Sequence, residues 1–299
     1  MNLVPIALLF ALQTPAQAPN FDRKEDVIYG RKFGTALTMD VFTPKEKKNG
    51  TGIVFCVSGG WFSAKTSINI GFMQEFLNRG YVVFAVVHGS QPRFSIPEVL
   101  EDMNRAVRYI RTNAKTYDVD PDRLGIAGGS AGGHLSLMQG VAAREGNAKS
   151  PDPVDRETAK VAAVACFFPP TDFLNYGEKD KEAIGNNTLS GFAPPFDFVE
   201  VNPKTRVFDK VTDPEKRREI AKRISPVYHV TEKSAPTLII HGDADKLVPI
   251  QQAELIIEKL KAAKVPCELV VKPKAGHGWT DIAKDIPTLA DWFDKHLKK

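Results

Sequence analysis

A single serine sits among glycines in Gly128-Gly129-Ser130-Ala131-Gly132, a stretch that fits G-x-S-x-G. A serine hydroxyl is a weak nucleophile until a base takes its proton, and a carboxylate must hold that base in the right orientation. The chain supplies both types downstream: Asp243 and Asp245 in "HGDADKLVP", and His277 in the Gly-flanked "KPKAGHGW". Ser130 as nucleophile, His277 as base and one of the two aspartates as orienting group could carry out acyl transfer through a covalent intermediate. His88 in "VVHGSQ" is a rival base, because its loop could face the same site. The other histidines read as packing or surface residues: His134 beside the serine, His241 before a turn glycine, His229 and His296 outside.

These groups must be positioned by the elements around them. "TALTMDVFTP" alternates like a strand, and "GIVFCVSGG", "YVVFAVVHG", "RLGIAGGS", "VAAVACFFPP", "PTLIIHGD" and "CELVVKP" are short apolar runs that stop at Gly, Pro or polar residues. Runs without alternation suit strands buried on both faces, as in a parallel sheet. Between them lie helical patterns. The clearest spans 95–117, with a Ser95/Glu98 capping box, Pro97 in the first turn, and Leu100, Met103, Val107, Ile110 and Ala114 along one stripe. Alternating strand and helix predicts an α/β fold, a mostly parallel central sheet with helices on both faces, whose ligands bind at the carboxyl ends of the strands. Ser130 follows the strand "RLGIAG" and precedes the helical "GHLSLMQGVAA", the context of a strained turn that exposes its Oγ. From Phe168 to Pro236 the chain is far longer than one crossover helix, and an inserted cap at about residues 173–225 is the economical reading.

Composition narrows the function classes. A formal net charge of +4, from 40 Lys and Arg against 36 Asp and Glu mixed along the chain, describes a solvated surface rather than a nucleic-acid footprint. The first 18 residues carry no charged side chain, and their ten-residue run "LVPIALLFAL" is too short to span a bilayer. They read as a signal peptide with a cleavage pattern at Ala16-Gln17-Ala18, Ala16 being a rival cut, and predict an exported protein with residues 19–299 as its catalytic domain. Cys56, Cys166 and Cys267 each fall in a strand-like run, where free cysteine behaves as a small hydrophobe, and their odd number argues against a disulfide framework. No zinc spacing occurs, and "DVDPDRLG" fails as a calcium loop because Arg123 and Gly129 stand where Gly and Glu are required. No metal or other cofactor is expected.

"GGSAGGHL", "HGDADKLVP" and "AGHGW" together resemble the α/β-hydrolase superfamily, nearest its bacterial esterase and acetylxylan/feruloyl esterase-like (BD-FAE-like) branch, over residues 35–297. The resemblance implies Asp245, which begins D-x-x-V-P, as the acid, with Asp243 bracing the turn. It also implies an oxyanion hole built from backbone N–H groups of Ala131 and of the "VSGGWF" loop at Gly60 and Trp61. The family's H-G-G-G histidine is missing there; Val57 or Ser58 occupies its place, so the support of that loop differs. The expected reaction is hydrolysis of a carbohydrate-linked acetyl or aromatic acyl ester, or of a small soluble ester. Phe192, Phe196 and Phe198, with Trp61, are candidate pocket walls or, alternatively, residues that dock the insertion on the core. Two other functions stay open. The fold also serves prolyl oligopeptidase-like peptidases and amidases, which usually carry an N-terminal propeller that is not read before residue 35. It serves non-catalytic binding proteins as well, usually marked by a lost triad residue, and none is lost here.

Overall fold

The computed structural model describes residues 19–185 and 187–298. The first 18 residues, read above as a signal peptide, lie outside the described residues together with both candidate cleavage sites. Along the chain come β1 (Phe21–Lys32), β2 (Thr35–Pro44), β3 (Gly52–Cys56), α1 (Gln74–Asn78), β4 (Val82–Val87), α2 (Ile96–Thr112), β5 (Leu124–Gly129), α3 (Ala131–Ala142) and β6 (Ala163–Phe167). There follow β7 (Val199–Val201), β8 (Phe208–Lys210), α4 (Pro214–Arg223), β9 (Thr237–Gly242), α5 (Gln251–Ala262), β10 (Cys267–Lys272) and α6 (Ile286–Leu297).

Eight strands form one sheet in the order β1-β2-β4-β3-β5-β6-β9-β10. β2 pairs antiparallel with both neighbours, and from β4 to β10 every pairing is parallel. The unalternating runs are the central strands: β5, β6 and β9 are buried almost throughout, because helices cover both faces. On one face, α2, α3 and α5 contribute residues such as Val107, Leu135 and Ile256 to a core cluster. On the other, Phe76 of α1 and Phe293 of α6 close a second cluster. In α2, Glu98 reaches back to the Ser95 N–H at 2.9 Å, as the capping box predicts. The helix stops at Thr112, and Ala114–Tyr117 continues as a 3-10 turn, so the expected span ran one short element too far.

The strand β1 was not anticipated. It is an outer strand whose row "FDRKEDVIYGRK" buries only Phe21, Val27 and Tyr29, and its register shifts between Lys24 and Val27 break the alternation that would have marked it.

Among the described residues, the long interval after β6 holds one α-helix, α4, with the small hairpin β7–β8 and short 3-10 turns. Phe173, Ile184, Leu189, Phe198, Val211 and Ile220 all belong to the same core cluster as α2, α3 and α5, so the insertion shares the main core. Arg217 clasps it from within, donating to the Ile184 carbonyl at 3.0 Å and the Phe196 carbonyl at 3.2 Å, with its guanidinium over the Phe198 ring. Phe196 is fully buried against Trp61 and Phe173. Of the two readings of these rings, Phe196 and Phe198 take the docking one and not the pocket one: both are buried on the core side of the insertion, where packed rings gain more by leaving water than by facing it.

The cysteines lie on β3, β6 and β10 and are free, with Cys56 and Cys166 buried. No described helix is long and apolar enough to cross a membrane.

Candidate active site

Parallel strands end on the same edge of the sheet, which gathers the loops after β3, β4, β5, β6, β9 and β10 into one crevice. Ser130 follows β5 directly, with φ 55° and ψ −120°, a left-handed conformation that side chains rarely adopt. Its amide donates to the Phe167 carbonyl at 3.0 Å, which holds the turn to the end of β6. Two glycines make the turn sterically feasible. A Cβ at Gly128 would stand 2.6 Å from the Gly132 carbonyl, and one at Gly132 would stand 2.8 Å from the Cys56 carbonyl. The backbone passes too closely there for any side chain.

His277 lies in the loop after β10, where Gly276 and Gly278 form an isolated bridge. Its Nε2 is 2.9 Å from Ser130 Oγ and its Nδ1 is 2.7 Å from Asp245 Oδ2. The Phe168 ring packs beside the imidazole, 4.5 Å between centroids. Asp245 is 7% exposed; its other oxygen accepts from the amides of Leu247 and Val248, each at 2.9 Å. Asp243 does not reach the histidine: it is exposed and accepts the Lys274 amide at 2.5 Å, bracing the β10 loop. The loop is also tied down by Trp279, whose indole N–H donates to Asp285 at 2.7 Å, while Lys272 holds the other Asp285 oxygen at 2.8 Å.

The electrostatics of Asp245 favour its charged form. Burial acts to raise its pKa, but hydrogen bonds from His241, His277 and the Val248 amide outweigh burial and hold the carboxyl well below its ordinary 3.8. A carboxylate can only accept, so Nδ1 of His277 carries the proton of that bond and Nε2 is left to accept from Ser130. His241 was passed over in the sequence; it is buried, donates through Nε2 to the Val248 carbonyl at 2.8 Å, and stands 3.4 Å from Asp245 Oδ2. Its position four residues before Asp245 was the available signal.

A depressed carboxyl pKa makes stability depend on pH. Between the folded pKa and the ordinary value near 4 the unfolded chain binds the proton and the folded chain does not, so this contribution is present above about pH 4 and is lost as pH falls below it. The Asp245→Asn protein is therefore expected to lose stability less steeply between about pH 4 and pH 2.5 than the parent. Urea unfolding across that range checks it, and parallel slopes would contradict it.

The loop after β3 turns through two successive left-handed residues, Gly60 at φ 56° and Trp61 at φ 59°. Among the described residues no acceptor takes the amide of Gly60 or of Trp61, and Ala131 opens α3, where helix amides have no intrahelical acceptor. Trp61 itself is anchored. Its indole N–H donates to His134 Nδ1 at 3.2 Å, which leaves His134 Nε2 to donate to the Ile224 carbonyl at 2.7 Å. Burial pushes the His134 pKa down to about 4, in keeping with a neutral ring that accepts on one side and donates on the other. His134 packs in the core as its reading as a packing residue has it, against Trp61 and Phe173, and in addition joins the loop after β3 to the insertion.

His88 does not join the serine. It is 3% exposed, with Nδ1 2.8 Å from the Gly89 carbonyl and Nε2 2.8 Å from Ser58 Oγ. A cavity of about 630 Å³ opens beside Ser130 and His277, lined by Ser58, Gly60, Phe62, Asn69, Phe168 and Phe192 among others. Ser130 also borders a recess of only about 20 Å³ between Trp61, Tyr176, Leu189 and Phe192. Phe192 thus borders both. Among the described residues no group of three or more His, Cys, Asp or Glu could hold a metal ion.

A mostly parallel sheet covered on both faces, with a serine on a tight strand-to-helix turn and an aspartate and a histidine after later strands, defines an α/β-hydrolase fold. The BD-FAE family model matches residues 39–260, and the chain belongs to that family. It is 27% identical over 268 residues to esterase LipC of Mycobacterium tuberculosis, covering 88% of this chain and 62% of LipC. The chain therefore spans less than two thirds of the length of that relative. A truncated carbohydrate esterase from gut microbiota superposes with a TM-score of 0.74 at 25% identity, covering 96% of this chain and all of the other. A thermophilic esterase from the planctomycete Thermogutta terrifontis, with butyrate bound, gives 0.70 at 25% identity, covering 95% and 96%.

Proposed function

We propose that the protein hydrolyses carboxylic esters through an acyl-enzyme, with Ser130 as nucleophile, His277 as base and then acid, and Asp245 as its orienting carboxylate. The observation that carries this reading is the hydrogen-bonded chain from Ser130 Oγ through His277 to Asp245, at 2.9 and 2.7 Å. Ser130 Oγ attacks the ester carbonyl carbon as its proton passes to His277 Nε2, and Asp245 stabilises the imidazolium. The negative oxygen of the tetrahedral intermediate takes the amides of Ala131 and of Gly60 and Trp61. Collapse expels the alcohol with the proton from His277. Water, deprotonated by the same imidazole, then releases the acid and restores Ser130.

The unequal spaces that Ser130 borders, about 630 and 20 Å³, favour an ester with one small and one large substituent, such as an acetyl or other short acyl group on a sugar, or a small soluble ester. The esterase names of the relatives support the same reaction class. Export is part of the reading and rests on the leader-like first 18 residues alone. The test is the initial rate of p-nitrophenyl acetate hydrolysis by the whole chain, beside the corresponding anilide. Ester turnover that depends on Ser130 is expected, and faster cleavage of the anilide would replace the reading with an amidase.

A further inference from the structure

Ser58 stands in the loop after β3, is half-buried, and lines the large cavity together with Ser130 and His277. A serine hydroxyl ordinarily rotates to donate or accept as its surroundings demand. This one is pinned. The Gly89 carbonyl beside His88 Nδ1 can only accept, so the single proton of the neutral, buried imidazole sits on Nδ1. Nε2 is then a bare lone pair 2.8 Å from Ser58 Oγ, and the Ser58 hydroxyl must donate to it. His88 is itself held from behind, since the Gly89 amide donates to Asp102 at 2.8 Å and Lys32 grips the same carboxylate oxygen at 2.6 Å. Among the described residues no donor reaches Ser58 Oγ.

We propose that Ser58 is a specificity-determining residue whose hydroxyl, with its proton committed to His88, offers the cavity only lone pairs and so selects esters carrying a hydroxyl donor beside the scissile bond. This rests on the ester-hydrolase reading. A polyol or sugar ester places such a donor there. An ether or fully alkylated substrate meets acceptor against acceptor and leaves both groups desolvated without a partner, which is how a built polar site discriminates.

The test compares methyl 2-O-acetyl-β-xyloside with its 3,4-di-O-methyl analogue in the whole chain. The parent protein is expected to favour the hydroxyl-bearing ester by about tenfold in kcat/KM, the scale of one hydrogen bond to a fixed partner, and Ser58→Ala to bring that ratio to within about twofold of unity. Equal kcat/KM for the two esters in the parent overturns the proposal, as does a Ser58→Ala loss of the same factor on both, which would make Ser58 a mere loop support. Ligand-observed NMR with the same two compounds and Ser130→Ala reads the preference without turnover. If the parent cleaves neither ester while the binding preference persists and Ser58→Ala abolishes it, the hydrolase reading fails and the acceptor site stands; equal binding overturns the site.

Discussion

Replacing Ser130 by alanine is expected to lower kcat/KM for p-nitrophenyl acetate by about 10⁴-fold or more, the scale on which enzymes lose activity when a member of such a triad is removed. That is roughly 5.5 kcal/mol of transition-state stabilisation. The substitution deletes the one oxygen His277 Nε2 addresses and leaves the amides of Gly60, Trp61 and Ala131 untouched, so whatever rate remains belongs to water attack in an intact oxyanion site. The backbone gives no reason for collapse, because alanine at φ 55° bears the same strain that serine already bears. Thermal unfolding beside the rate measurement separates the two effects. A loss under about tenfold in a folded protein would remove Ser130 from the mechanism.

The second large effect is expected from Asp245→Asn, also about 10⁴-fold in kcat/KM, by a different route. The amides of Leu247 and Val248 both demand an oxygen, so the carboxamide keeps its oxygen on them and turns its NH₂ toward His277. Nδ1 must then accept, the ring proton moves to Nε2, and the base donates to Ser130 where it should accept. A histidine in the wrong tautomer is present in place and chemically useless. Asp243→Asn is the control: Asp243 accepts the Lys274 amide through an oxygen that asparagine also has, so a loss below about threefold is expected. Comparable losses for the two variants would detach Asp245 from the proposed role.

The central sheet was legible because strands buried on both faces need uninterrupted apolar runs, and β3, β4, β5, β6, β9 and β10 all lie within the runs named from sequence. β1 was not, since an outer strand that pairs on one side and bulges carries charges without penalty and shows no clean period. The interior of the insertion was opaque for another reason. Phe192 and Phe196 are four residues apart and chemically identical, yet one borders the cavity and the other packs under Trp61, a difference fixed by distant partners. At the site, Ser130 and His277 could be picked out because each sits just past a strand in a recognisable turn, whereas Asp243 and Asp245 share that position and only the resemblance at D-x-x-V-P chose Asp245 between them. The Trp61–His134–Ile224 link and the Ser58–His88 pair could not, because each depends on a contact between segments that only the fold brings together; His241, whose partners are local, carried a signal in its spacing to Asp245 that was not used.

The central claim is that Ser130 becomes covalently acylated through His277, and the most direct measurement traps that bond. The whole chain is treated with a fluorophosphonate at neutral pH, its intact mass is recorded, and the modified peptide is sequenced by tandem mass spectrometry. The account predicts one adduct, on Ser130, whose rate of formation falls steeply in His277→Ala. An adduct on Ser58, or ester turnover that survives complete resistance to the reagent, would contradict it.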